Sequence, residues 1–166
     1  MKKINPEEIS ENAINLIGKQ WLLITAGNKD KFNSMTASWG CIGFMWNMPI
    51  ATAMIRPQRF TYPIMENSEI CTLSFYDKEH KKALSMFGTK SGKDTDKVAL
   101  SGFTPAYTEN GAVYYEEAKL VLECRKVYAS ELLEKDFIDK PILDKWYPEK
   151  DLHKMYYFEI LNAYTK

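Results

Sequence analysis

The sequence predicts a mainly β fold, an antiparallel barrel decorated by short inserted helices. Three observations carry this expectation. Apolar or alternating runs of strand length recur at residues 21–26, 50–55, 69–75, 120–132 and 156–164. Asn110-Gly111 stands between Ala106-Tyr107-Thr108 and Ala112-Val113-Tyr114-Tyr115, a strong hairpin signal because both residues tolerate positive φ. No strand–helix rhythm at βαβ spacing appears, which disfavours a parallel sheet.

Each element has a local reason. Asn5-Pro6-Glu7-Glu8 reads as a helix start, with Asn as cap, Pro at the first position and Glu reaching back. Ile9, Ala13, Leu16 and Ile17 give that helix one apolar face, and Gly18 ends it. Residues 21–26 form a buried strand stopped by Gly27-Asn28. A polar turn leads to Asn33-Ser34-Met35-Thr36-Ala37-Ser38-Trp39, and residues 50–55 are entered through Pro49. Thr61 opens a short helix that tolerates Pro63 in its first turn. Residues 69–75 alternate as a strand. Asp77 caps a helix to about Phe87, with Ala83, Leu84 and Phe87 inward. A loop at 88–94 precedes a short helix started by Asp94 or Thr95. After the hairpin come the long strand 120–132, a short helix 140–146 and the last strand.

The bulk numbers limit function. One domain covering residues 1–166 is the default for 166 residues, a length that needs no disulfide or metal staple. With 22 basic and 22 acidic residues the formal net charge is zero, so no electrostatic case exists for nucleic acid or an anionic membrane. Any anion site must be local. Asn5-Pro6-Glu7-Glu8 follows the first lysines where a signal peptide needs an apolar core. The apolar run 40–55 is broken by Asn47 and Pro49 and falls short of a membrane span. Cys41, Cys71 and Cys124 are scattered and read as buried thiols of a reducing cytoplasm. No zinc-ligand spacing exists, and no metal site is expected.

Several motifs fail. Gly88-Thr89-Lys90-Ser91-Gly92-Lys93-Asp94 is one residue short of a nucleotide-triphosphate loop, and Asp94 stands where Ser or Thr must hold magnesium. No G-x-G-x-x-G and no G-x-S-x-G is present. His80 reads as solvated. His153 lies close to Asp151, but no nucleophile accompanies them. No catalytic side chain is therefore assigned.

Three segments remain. In Asn33 and Met35-Thr36-Ala37-Ser38-Trp39, small residues let a planar heterocycle approach the backbone amides, and Trp39 offers a wall; plain strand packing would also account for them. In Arg56-Pro57-Gln58-Arg59-Phe60-Thr61, guanidinium groups suit phosphate oxygens, and Thr61 opens a helix; snorkelling arginines at a strand end are the alternative. In Ser91-Gly92-Lys93-Asp94-Thr95-Asp96-Lys97, backbone and lysine donors converge, unless the segment is only a solvated loop.

In that order and spacing, the three segments resemble the flavin reductase-like, FMN-binding split-barrel family, in its flavoredoxin-like branch. The resemblance runs from about Ile14 to Ile160 and includes TLSFYD, EHKKAL and the late LHKMYYFEI. It implies an antiparallel split β-barrel, usually a homodimer with flavin near the interface. It implies FMN as cofactor, with Asn33 and Met35 to Trp39 along the isoalloxazine, and Arg56, Pro57, Gln58, Arg59 and Thr61 at the phosphate. Ser91, Gly92, Lys93 and Lys97 would close over the cofactor, with Lys93 against Lys97 left open, and Ser74 and Phe75 would lie nearby. Related flavin reductases often place Ser or Thr before the phosphate turn; this turn relies on arginines. The implied activity is NAD(P)H:flavin oxidoreduction, a hydride passing to flavin N5. A flavoredoxin-type electron carrier reduced by a protein partner, and a flavin-binding module without turnover, remain alternatives.

Overall fold

A computed structural model describes residues 1–166. The strands are β1 (Lys2–Ile4), β2 (Leu22–Gly27), β3 (Phe32–Ala37), β4 (Gly40–Met45), β5 (Met48–Ile55), β6 (Ile70–Phe75), β7 (Pro105–Tyr107), β8 (Val113–Tyr115), β9 (Leu120–Glu131) and β10 (Lys154–Thr165). The helices are α1 (Ala13–Asn15), α2 (Thr61–Glu66), α3 (Lys81–Thr89), α4 (Lys97–Ser101) and α5 (Lys140–Trp146).

One antiparallel sheet runs β3-β2-β6-β9-β10-β5-β4, and β1 adds to β10 beyond the end of β5. β7 and β8 form a separate hairpin. Register shifts at Tyr157/Phe158 and Ile160/Asn162 bend the β9–β10 pair, as bulges do. β3 and β4 follow each other in sequence yet do not pair, so the sheet is not closed. This is the split of a split barrel, and residues Ser38 and Trp39 sit at its seam.

Side chains alternate between two apolar clusters. Leu22, Ile24, Leu73, Phe75, Leu122, Tyr156 and Phe158 fill the barrel. Leu23, Val121, Phe87, Phe103 and Tyr115 form a second cluster, where α3 and β8 cover the outer face. Burial on both faces explains why β2 reads as a near-continuous apolar run, while β6 is buried on both faces despite Thr72 and Ser74.

Several local expectations need correction. The helix expected from Asn5 to Gly18 breaks into a 3-10 turn, Pro6–Glu8, and a separate start at α1. The Asn5 cap forms, accepting from the Glu7 N–H at 3.0 Å, with Glu8 accepting from the Asn5 N–H at 2.9 Å. Asn12 then caps α1 at 2.9 Å, and this second polar cap competes with a continuous helix. Asp77 precedes a 3-10 turn without capping it through its side chain, and α3 extends past Phe87 to Thr89. Asp96, not Asp94 or Thr95, caps α4 by accepting from the Ala99 N–H at 3.0 Å. The apolar run 40–55 is a β4–β5 hairpin turning at Trp46 and Asn47, with φ of 52° and 58°. Packing of the Trp46 ring on Tyr128 and Tyr157 holds a bulky residue in that left-handed geometry. His80 is half-buried against Tyr76 and Phe103. Cys71 and Cys124 are buried cross-strand neighbours, whereas Cys41 on edge strand β4 is exposed. No helix is long and apolar enough to cross a membrane.

Candidate functional site

The seam contains a cavity of about 200 Å³. β3 supplies Met35, Thr36 and Ala37, and Ser38 and Trp39 continue the wall. Met54 of β5, Arg56, Arg59 and His153 complete it. A second cavity, of about 180 Å³, lies beside it and shares Arg59. Its walls are Asn33, the turn Gln58-Arg59-Phe60-Thr61, Thr89-Lys90-Ser91-Gly92 and Lys97.

Strand geometry explains the seam wall. β3 pairs with β2 on one edge only, so its other edge carries backbone groups free of ladder partners. Behind it, Ser34 hydrogen-bonds Thr25 and Tyr115, each at 2.8 Å, and Thr36 Oγ1 donates to the Leu84 carbonyl of α3. The edge is thus fixed by its neighbours and open towards the cavity.

The second cavity is built from groups far apart in sequence. Arg59 Nη1 donates to the Gly88 carbonyl at 2.8 Å. Lys97, 5% exposed, donates through Nζ to the carbonyls of Ser34 and Phe87. Asn33 Nδ2 donates to Thr61 Oγ1 at 2.7 Å. Neither Arg59 nor Lys97 has a carboxylate partner, although eight ion pairs occur elsewhere. Burial, with Arg56 adding repulsion, lowers the Arg59 pKa. Burial, with Arg59 adding repulsion, brings Lys97 down to about 8. A buried and a half-buried cation side by side without an anion are destabilising, and an incoming anion relieves both.

Gly92 shows how closely this cavity is built. A Cβ there would lie 2.0 Å from Asn33 Oδ1 and 3.1 Å from the Phe60 ring. Gly92→Ala must therefore push Asn33 from Thr61. The expected cost is about 1–3 kcal/mol of stability, measured as a lower urea midpoint with unchanged slope.

The first cavity differs in charge. Burial and nearby Arg56 lower His153 to about 4 against a smaller opposing effect of Asp151, so its imidazole is neutral at pH 7. Its Nδ1 meets Tyr147 Oη at 2.9 Å. Arg56 pairs with Asp151 and donates to the Trp146 carbonyl at 3.0 Å. Burial would raise the Asp151 carboxyl, but hydrogen bonds from Arg56 and Gln58 outweigh it and hold the pKa low.

Of the residues singled out from sequence, the structure gathers Met35 to Trp39 with Arg56 and Arg59 around one cavity. It gathers Asn33, Gln58, Arg59, Thr61, Ser91, Gly92 and Lys97 around the other. Four residues line neither. Pro57 faces a separate groove, Lys93 is exposed, and Ser74 and Phe75 are fully buried within the sheet. Between the two lysines, Lys97 is the one in the cavity wall, because the Asp96 cap starts α4 there and turns its side chain inward. Met54, Phe60, Thr89, Lys90 and His153 belong to the walls without having been assigned from sequence. Only His153 carried a local signal, its closeness to Asp151.

Among solved structures the fold is shared widely. A flavoredoxin of Methanosarcina acetivorans superposes with a TM-score of 0.70 at 23% identity, covering 89% of this chain and 68% of its own. An FMN-binding protein of Thermus thermophilus, bound to p-hydroxybenzaldehyde, gives 0.70 at 16% identity over 100% of this chain and 82% of its own. An NADH:FAD oxidoreductase of Streptomyces globisporus gives 0.67 at 16% identity over 89% of this chain and 75% of its own. No curated protein matches the chain by sequence. The family model for the flavin reductase like domain matches residues 15–165, which takes in the seam wall, the arginine turn and Lys97, and the chain belongs to that family.

Proposed function

We propose that this protein is an FMN-binding oxidoreductase, reduced by NAD(P)H, with the isoalloxazine in the seam cavity and the phosphate in its neighbour. The single observation that carries this reading is a pair of cations without carboxylate partners, half-buried Arg59 and buried Lys97, beside a wall of small residues. An anion joined to a flat ring system satisfies both cavities, and Arg59 stands where they meet. The wall is also tightly built, since Gly92 lets the backbone of this loop approach Asn33 and Phe60 more closely than any side chain would permit.

Arg59, Lys97, Asn33, Thr61, Ser91 and Gly92 would hold the phosphate. Met35 to Trp39 would lie along the ring. FMN, when bound, supplies the hydride-accepting centre, so no protein nucleophile is required. The chain's own work is binding, orientation and exclusion of water. Positive groups near an electron-rich ring also favour its reduced form electrostatically.

The fold likeness to an NADH:FAD oxidoreductase and to flavoredoxins supports flavin redox chemistry in general. We extend the proposal to a single working domain that pairs as a homodimer in the cytoplasm. The unpaired β4 edge, with Phe44, Met45 and Trp46 exposed, supports the pairing.

Anaerobic stopped-flow mixing of FMN-loaded protein with NADH and, separately, NADPH tests the activity. Bleaching of the flavin's visible band by at least one donor is expected. No bleaching by either overturns the reductase reading, and rapid bleaching only by a reduced redox protein establishes the electron-carrier alternative.

A further inference from the structure

We propose that Arg56 is a positioning residue that latches the β9–β10 connector against the seam cavity, and that it is not a phosphate ligand. Arg56 lines the seam cavity and is absent from the second one. Its guanidinium is already engaged. It pairs with Asp151, donates to the Trp146 carbonyl at 3.0 Å, and lies over the Tyr147 ring at 5.4 Å. Gln58 Nε2 donates to the same Asp151 oxygen at 2.6 Å.

All these partners belong to residues 132–153, a long connection holding only a 3-10 turn and α5. Long connections of this kind are held by a few specific contacts, or not at all. The side-chain hydrogen bonds from the rest of the chain to this connector come from Arg56 and Gln58 alone. A backbone bond from Leu132 N–H to the His153 carbonyl at 3.2 Å closes its base. What the connector brings is part of the site. His153 lines the seam cavity, and the rings of Trp146, Tyr147 and His153 pack on Trp39 at 5.2, 6.5 and 5.1 Å. Releasing Arg56 therefore removes one wall of the ring site and frees Trp39, while leaving Arg59 and Lys97 in place.

The latch rests on the flavin reading for its binding consequence, but its mechanical part does not. The test compares wild type, Arg56→Ala, Asp151→Asn and Arg59→Ala in two measurements. One is titration with FMN and with riboflavin, which lacks the phosphate. The other is backbone hydrogen exchange of residues 140–153 without flavin. Arg56→Ala and Asp151→Asn are each expected to weaken both flavins by the same factor, about tenfold, and to speed exchange across 140–153. In the double variant, Arg56→Ala with Asp151→Asn, the two effects should fall short of adding, since both substitutions break the Arg56–Asp151 contact. Arg59→Ala should weaken FMN alone and leave exchange unchanged.

Asp151→Asn is the milder change and keeps the Arg56 charge. Were Arg56 a phosphate ligand held back by Asp151, this variant would bind FMN more tightly, which would overturn the proposal. Loss of FMN binding alone in Arg56→Ala, or unaltered exchange in both variants, would overturn it too. If wild type binds neither flavin, the functional reading fails, and the exchange measurement still decides the latch.

Discussion

Arg59→Ala is expected to lower FMN affinity ten- to a hundredfold while leaving riboflavin affinity nearly unchanged. Arg59 is the residue common to both cavities, and it is oriented by the Gly88 carbonyl at 2.8 Å. A charge-assisted bond to phosphate contributes about 1.5–3 kcal/mol, which sets the size of the loss. Riboflavin carries no phosphate, so the ratio of the two dissociation constants isolates this bond from general packing. Isothermal titration of both ligands against wild type and variant is the measurement. An unchanged ratio would place the phosphate elsewhere.

Lys97 predicts a second large effect, in pH. Burial and the neighbouring Arg59 bring its pKa from the usual lysine range to about 8 in the empty protein. The sign follows from which form the ligand prefers. A phosphate dianion is held by the ammonium, so binding above pH 8 must take up a proton. The FMN dissociation constant should be flat near neutrality and rise by up to about tenfold per pH unit above 8. Below about pH 6 it should rise again as the phosphate itself becomes a monoanion. Lys97→Met should abolish the alkaline limb and cost about ten- to a hundredfold at pH 7. In Arg59→Ala the repulsion on Lys97 is gone, so the limb should move to higher pH. A dissociation constant for wild type that stays level from pH 7 to 9.5 would remove Lys97 from the phosphate site.

Much of the framework was readable from local pattern. The β2 run is apolar on both faces because one face fills the barrel and the other meets the cluster under α3 and β8. The hairpin at Asn110-Gly111 forms, with Gly111 at φ 81° and the Gly111 N–H donating to the Thr108 carbonyl at 3.0 Å. The β4–β5 hairpin was less readable, because Trp46 is an unusual residue for positive φ and is kept there by aromatic packing across the sheet. Ser74 and Phe75 show another limit. Alternation marks a strand, but the same run 70–75 gave no sign that every residue after Ile70 is buried.

The sequence by itself determined most of the antiparallel strand set, and the three segments that line the two cavities and their order, because these depend on spacing, turn chemistry and residue type over short ranges. The tertiary structure decided how the two arginines divide. Arg56 meets Asp151, 95 residues away, and lines the seam cavity alone, while Arg59 meets Gly88 and stands between the two cavities. It also decided that Lys97 is buried without a carboxylate while Lys93 faces solvent. The physical reason is that a charged side chain's role is set by its nearest opposite charge and its share of water, and both come from chain segments that only folding brings together.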